Sequence, residues 1–394
     1  SAAQESDMLA FPDPSTFEIL PWRPQANAVA RMICDIRTPE GEPYAGDSRH
    51  VLERVVRRAA EDGYSFIVGP ELEYFYFKDA EGTDVLDHGS YFDLTSLDSA
   101  SDLRRDTVLT LEKMGIPVEY SHHEEGPSQH EIDLRFSDAM SMADAVMTYK
   151  MVVKEVAHNH GVFASFMPKP LTDAPGSGMH VHMRPGEPPT VESAKTHLDN
   201  LFFDPADPDG NNLSPLAKHF MAGLLKYAPE FCLITNQNVN SYKRLTSRME
   251  APSQIAWSSM NRSTLVRVPA YKPNKEVACR VEIRNPDPAA NPYLAFAAML
   301  AAGLKGIEDE LELPAPVDDL DLFQLDYREL KQRGIQTLPA TLGEALERFE
   351  GSALMREVLG DHIFEYLLRE KHREWEEYRS VVSDWELNRY LEEL

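Results

Sequence analysis

A mixed α+β fold is what this chain of 394 residues predicts, and three observations carry it. Strand-like and helical stretches intermix without strict βαβ alternation, which argues against a doubly wound parallel sheet. The C-terminal stretch from Thr341 to Leu394 is mostly helical and charged, consistent with two or three surface helices. There is no internal repeat and no low-complexity segment, so the chain reads as one large domain or two smaller ones with ample material for a core.

The elements follow in order. Phe17 to Leu20 and Ala28 to Cys34 read as strands separated by breaks at Pro21 and Pro24. A loop rich in Gly, Pro and Asp, Thr38 to Asp47, precedes a helix from Arg49 to Asp62. Tyr64 to Phe77 is strand-like, with Gly69-Pro70 expected to bend it. Because strand side chains alternate faces, Glu71 and Glu73 point the same way. Helical periodicity returns at Ser101–Met114, Met140–His160 and Pro215–Tyr227, with a loop-like region from Pro185 to Asn212. Ala290 to Gly306, rich in Ala and Leu, reads as a buried helix.

Composition narrows the function. Hydrophobic residues make up 42% and charged residues 26%, an ordinary globular mix. A net charge of −26 argues against nucleic acid and anionic membranes as partners, since both require basic surface. Cys34, Cys232 and Cys279 lie far apart in no C-x-x-C spacing, so neither a disulfide framework nor a zinc site is expected. No stretch reaches a membrane span, and the first residues lack a basic-then-apolar signal peptide, so a cytoplasmic setting is expected.

The chemistry sits in short, dense signatures. They hold Glu71 and Glu73 in Gly69-Pro70-Glu71-Leu72-Glu73, Glu124 and Glu131 in the run from His122 to Glu131, His180 in Gly176-Ser177-Gly178-Met179-His180, and Glu282 in Arg280-Val281-Glu282-Ile283-Arg284. Buried carboxylates must be paired with cations, and oxygen-rich clusters suit hard divalent ions, Mg²⁺ or Mn²⁺. Interleaved Arg244, Arg262, Arg267, Arg280 and Arg284 supply the fixed positive charge that phosphate and carboxylate substrates require. Metals beside guanidinium groups point to phosphoryl transfer.

Taken in this order, the signatures resemble glutamine synthetase of the bacterial and archaeal type I class. Supporting segments are Glu5 to Met8, Gly161 to Pro170, Gly176 to His182, Asn238 to Leu245, Glu250-Ala251-Pro252, Asn261-Arg262-Ser263 and Arg280 to Leu294. The resemblance implies the last part of a small β-grasp domain over residues 1–46, with the start of that domain missing. A catalytic domain with C-terminal helices would follow over 47–394, its curved antiparallel sheet flanked by helices. It implies a homododecamer of two stacked rings with each site between neighbouring subunits.

It also implies roles. Glu73, Glu124 and Glu131 would hold one divalent ion, and Glu71, His180 and Glu282 the other. Arg244 and Arg284 would bind the substrate glutamate, with Gly176 in the substrate loop. Arg262, Arg267 and Arg280 would face the phosphates of ATP, Arg262 also acting in catalysis. His182 stands either with the nucleotide or as a structural histidine. Glu250 would close as a catalytic flap, excluding water and helping to deprotonate ammonium. Tyr91 either walls the amine site or packs in the core.

The activity implied is ATP-dependent ligation of L-glutamate and ammonium to L-glutamine through γ-glutamyl phosphate. Some positions depart from the family pattern: Pro175 before the Gly-Ser-Gly run, Arg184 in place of a small hydroxyl, Thr246 to Met249 before the flap, and Phe323 where modified relatives carry tyrosine. Two extra residues between Arg267 and Glu282, with Tyr271-Lys272-Pro273, Thr235-Asn236-Gln237 and Phe17 to Trp22, look like actinobacterial glutamine-synthetase-like proteins, some of which join glutamate to polyamines. A γ-glutamyl-polyamine ligase is therefore the alternative, and a non-catalytic oligomer the second. Arg184 and Arg248 are expected to line the site, where their charge would repel a polyamine.

Overall fold

The computed structural model describes residues 7–93, 98–186, 200–246, 251–272 and 274–394. The N-terminal segment builds two small sheets. In one, β1 (Leu9–Pro12) pairs with β4 (Cys34–Arg37). In the other, β2 (Glu18–Ile19) pairs with β3 (Ala30–Arg31). Helix α1 (Ser48–Glu61) begins where Asp47 accepts a hydrogen bond from the Arg49 backbone N–H at 2.9 Å, satisfying an otherwise orphaned donor.

Strand β5 (Ser65–Phe77) is the spine of the molecule. After α2 (Ser101–Lys113) the chain adds β6 (Val118–His123), β7 (Gln129–Leu134) and β8 (Ser137–Asp138). It then runs through α3 (Ala139–Asn159), β9 (Phe163–Ser165) and β10 (Met179–Gly186). Two buried helices follow, α4 (Pro215–Thr235) and α5 (Val239–Thr246), and then β11 (Gln254–Ile255), β12 (Trp257–Ser258), β13 (Val266–Arg267) and β14 (Val281–Ile283). The rest is α6 (Pro292–Glu308), α7 (Tyr327–Gln332), β15 (Gln336–Thr337), α8 (Leu342–Glu350), α9 (Ala353–Arg379) and α10 (Asp384–Tyr390).

Nine strands form the main sheet in the order β12-β13-β14-β10-β5-β7-β6, with β8 and β9 also paired to β5. All pairs are antiparallel except β12–β13. Alternation sorts its two faces. Phe66, Val68, Leu72, Tyr74 and Tyr76 of β5 are buried in the core that includes α3, where the Tyr149 hydroxyl donates to the Leu72 carbonyl at 3.1 Å. Glu71 and Glu73 stand on the opposite face.

Two boundaries differ from expectation. The Gly69-Pro70 step does not break β5, which pairs with β10 without interruption from Ser65 to Leu72. On the other side β8 covers Ile67 and Val68 and β7 begins at Glu71, so Pro70, which has no N–H to give, falls in the gap between them. Helix α4 continues past Tyr227 to Thr235 with Pro229 inside it. Burial of Phe231, Leu233 and Ile234 in the core supports the last turns, which propensity alone would end.

Candidate active site

One face of the sheet gathers most of the predicted residues, and strand register explains how. Glu71 lies opposite Asp133 on β7 and His180 on β10, and Glu73 lies opposite Glu131. His182 is opposite Glu282, Glu282 is opposite Arg267, and His122 on β6 is opposite Glu131. Directly paired residues share a face, so six strands deliver carboxylates, histidines and arginines to one cleft of about 600 Å³. Its wall includes Tyr91, Glu124, Arg262, Arg267 and Arg284.

Ligand atoms of Glu71, His180 and Glu282 lie within 4.8 Å of one another. His180 Nδ1 is 3.2 Å from Glu71 Oε2 and 3.6 Å from Glu282 Oε1. Glu282, only 1% exposed, also accepts from Arg267 Nε at 2.6 Å. Burial acts to raise the Glu71 carboxyl, but His182 and His180 outweigh it and hold it well below the usual range. Burial and the Arg284 guanidinium together depress His180, which favours the neutral imidazole that can ligate a cation.

The second group centres on Glu131. Its carboxyl is pushed well above the usual range, first by burial and then by Asp133, Glu124, Glu73 and Glu71 around it. Burial raises Asp133 to about 6. So many like charges cannot all ionise without added positive charge, and their all-oxygen donors fit a hard divalent ion. Glu73 Oε2 is oriented by Gln129 Nε2 at 3.0 Å and the Gly178 N–H at 2.9 Å. Glu124 accepts from the Tyr91 hydroxyl and lies 2.6 Å from His122 Nε2. Tyr91 therefore stands on the cleft wall rather than in the core, stacked on His122 with centroids 6.1 Å apart.

Three residues come in to which the motifs gave no role: His122 and Gln129, inside the run to Glu131, and Asp133 beyond it. Gln129, Glu131 and Asp133 occupy alternate positions of β7, so the period-two argument used for Glu71 and Glu73 finds them too. The other face of β7 sends His130 into a buried network, where Arg104 binds both Asp98 and His130 Nδ1.

Five positions, Arg244, Gly176, His182, Arg280 and Arg184, stand away from the wall of the main cleft. Arg244 is 2% exposed and does not line the cleft. Its guanidinium donates to the carbonyls of Arg284, Asn285 and Pro286 at 3.2, 2.7 and 3.2 Å. It lies under the Gly-Ser-Gly loop: a Cβ on Gly178 would meet Arg244 Nη2 at 2.6 Å and displace that guanidinium, and one on Gly176 would meet the Pro168 carbonyl at 2.3 Å, so position 176 requires glycine. Gly176 thus serves close packing, and its carbonyl accepts from Gln129. His182 and Arg280 pair with each other, Arg280 Nε donating to His182 Nδ1 at 3.1 Å, and they line a second, adjoining pocket. Arg184 lines that pocket and not the main cleft, so its charge does not argue against a polyamine there. Arg248 and Glu250 lie outside the described residues.

The chain matches the family model described as the glutamine synthetase catalytic domain over residues 45–390, and that of the glutamine synthetase β-grasp domain over 1–39. Among curated proteins it is 49% identical over 392 residues to glutamine synthetase of Methanosarcina mazei, covering 98% of this chain and 84% of that one. It is 49% identical over 393 residues to the Mycolicibacterium smegmatis enzyme, with 98% and 85% covered. The Halobacterium salinarum enzyme is 45% identical over 394 residues, with 99% and 84% covered. A solved structure described as a GmaS/ADP complex superposes with a TM-score of 0.86 at 30% identity, over 100% of this chain and 87% of that one.

Proposed function

The chain belongs to the glutamine synthetase family, and from that premise we propose that it is an ATP-dependent ligase joining L-glutamate and ammonia. The observation that carries the reading is the packing of Glu71, Glu73, Glu124, Glu131, His180 and Glu282 on one sheet face, charged beyond what it can hold without cations. Divalent metal is general to the family, and the donor set suits Mg²⁺ or Mn²⁺, with Glu71, His180 and Glu282, whose ligand atoms converge, holding one ion. We assign the other to Glu73, Glu124 and Glu131, where Glu131 also converges with His122 and Asp133. When bound, such ions offset the negative charge of phosphate and carboxylate oxygens.

In the first step the γ-carboxylate of glutamate attacks the γ-phosphorus of ATP in line, the bond to the β,γ-bridging oxygen breaks, and ADP leaves. Arg262 and Arg267 line the cleft where that charge would spread, and Arg267 is fixed by its bond to Glu282. Arg284 Nε is buried 3.7 Å from Glu282 Oε1, an ion pair too long for a hydrogen bond. It has no hydrogen-bond partner among the described residues, and the side chain lines the cleft. An anionic substrate oxygen would satisfy it, so we assign Arg284 the glutamate carboxylate or the acyl phosphate. Arg244 then acts as a positioning residue, bracing the carbonyls that follow Arg284.

In the second step ammonia attacks the acyl carbon and phosphate leaves. The anionic wall of Glu124 and Tyr91 offers an ammonium ion a place to dock, and Glu250 is the proposed acceptor of its proton. The test is phosphate release from ATP with glutamate and an amine panel of ammonium, methylamine, ethanolamine, putrescine and spermine. Ammonium should give the highest kcat/KM, and chelation should abolish turnover. A clear preference for putrescine would instead establish the polyamine ligase.

A further inference from the structure

Beside the main cleft lies a pocket of about 200 Å³ that shares Glu71, Tyr120 and Asp133 with it. Strand β10 runs from one to the other. His180, His182 and Arg184 alternate along it and lie opposite Glu71, Gly69 and Ile67, so they share one face. Four residues of strand advance about 14 Å, which takes the row from the metal-ligand cluster, past the His182–Arg280 pair, to Arg184 at the far end. A nucleoside triphosphate whose γ-phosphate lies near His180 and whose inner phosphates lie near Arg280 would carry its base to Arg184.

Arg184 is 7% exposed, yet its Nη1 has no hydrogen-bond partner among the described residues. Burial disfavours its charge, and Cys279, which would offset this as a thiolate, has its own thiol pushed up to about 11 and so stays neutral. A guanidinium nitrogen buried without a partner among the described residues is costly, and the Arg184 side chain that carries it lines the pocket. Its central carbon sits 5.7 Å from the ring centroid of Phe136, which is more than half exposed, as is Tyr120 on the same wall. An aromatic surface beside an unsatisfied planar donor fits a flat ring whose edge carries acceptors.

We propose that Arg184 reads the base of the nucleotide and biases the site toward 6-oxopurines, guanine and hypoxanthine, relative to adenine. The proposal rests on the ligase reading above, which requires a nucleoside triphosphate. O6 and N7 of a 6-oxopurine accept two hydrogen bonds from one guanidinium, whereas adenine presents N7 beside a 6-amino donor that opposes it. Adenosine nucleotides remain substrates, held by the phosphate end, and guanosine and inosine nucleotides join them.

Calorimetric titration of the full chain with ADP, GDP and IDP, with Mg²⁺ and without glutamate or ammonium, tests this independently of turnover. Arg184→Ser should lower the affinity for GDP and IDP relative to ADP by about tenfold, the scale of one bidentate contact. Arg184→Lys should fall between, since an ammonium is a single point donor. Retained ADP binding certifies that the variants fold. If wild type binds all three and Arg184→Ser leaves the GDP-to-ADP ratio unchanged, base reading by Arg184 is overturned while the ligase reading stands. If wild type binds none of them, the ligase reading fails and takes this assignment with it.

Discussion

At Glu131 burial and neighbouring charge push the same way, and the carboxyl holds its proton far above the usual range unless a cation intervenes. Divalent ions should therefore raise the melting temperature of the wild-type protein by a few degrees at saturating concentration. Glu131→Gln should abolish ATP-dependent phosphate release, melt no lower than wild type in chelator, and lose most of that metal-induced rise. A full rise in the variant would remove Glu131 from the ligand set. Behind the sheet, His123 Nε2 meets Asp87 Oδ1 at 2.9 Å. Burial opposes ionisation of Asp87, but the bond to His123 outweighs it and holds the carboxyl far below its ordinary value. Burial also works against protonated His123, yet Asp87 raises it overall. A depressed acid contributes stability that is lost as pH falls below about 4, and a raised histidine contributes stability that is lost as pH rises through its folded pKa, above about 6.5. The melting difference between wild type and Asp87→Asn should therefore peak between about pH 4 and 6.5 and shrink on either side. A difference that grew steadily from pH 7 to 9 would contradict the pairing.

Elements place these residues, and one arginine ties the N-terminal elements to the rest. From α1, Arg49 binds Asp13 at 2.9 Å and Asp35 at 2.6 Å, and reaches Asp144 on α3 at 3.0 Å, where the Tyr293 hydroxyl also donates. Arg49→Met leaves three carboxylates without their cation, and should cost about 3 kcal/mol. It should also speed proteolysis within residues 7–37 ahead of the catalytic elements, and unchanged cleavage order would mean that the small sheets dock by other contacts. The long helices and β5 were legible because their periods are strong, as were Glu71 and Glu73 on one face. Helix α4 beyond Pro229 was not, because tertiary burial overrides a local breaker. The motifs predicted which residues meet but not which way Arg244 faces, since the carbonyls of Arg284 to Pro286 that occupy it are brought near only by the fold. Asp133 lies within reach of the alternation rule, but no motif of its own singles it out.

As a whole molecule, the chain carries a net charge of −26 and a sequence pI near 4.9, so copies repel one another at neutral pH. Yet large apolar side chains stand in solvent, and two sets of them bear on assembly. Phe92 projects fully at the rim of the main cleft, and Val381, Val382, Trp385 and Leu391 lie exposed around α10. Patches of this kind mark contact surfaces, and they favour the ring assembly that the resemblance implies. Apolar burial, which salt does not screen, would then drive association against electrostatic repulsion, which salt does screen over about 10 Å at 0.1 M. Assembly of the full chain, followed by native mass spectrometry or sedimentation at fixed protein concentration, should strengthen from 0.01 M to 0.3 M salt. Trp385→Ser together with Leu391→Ser should shift the population toward smaller species with the fold retained by circular dichroism. Dissociation on adding salt would mean that attraction between charges holds the copies together, and a monomer at every salt concentration would leave the cleft to be completed within one chain.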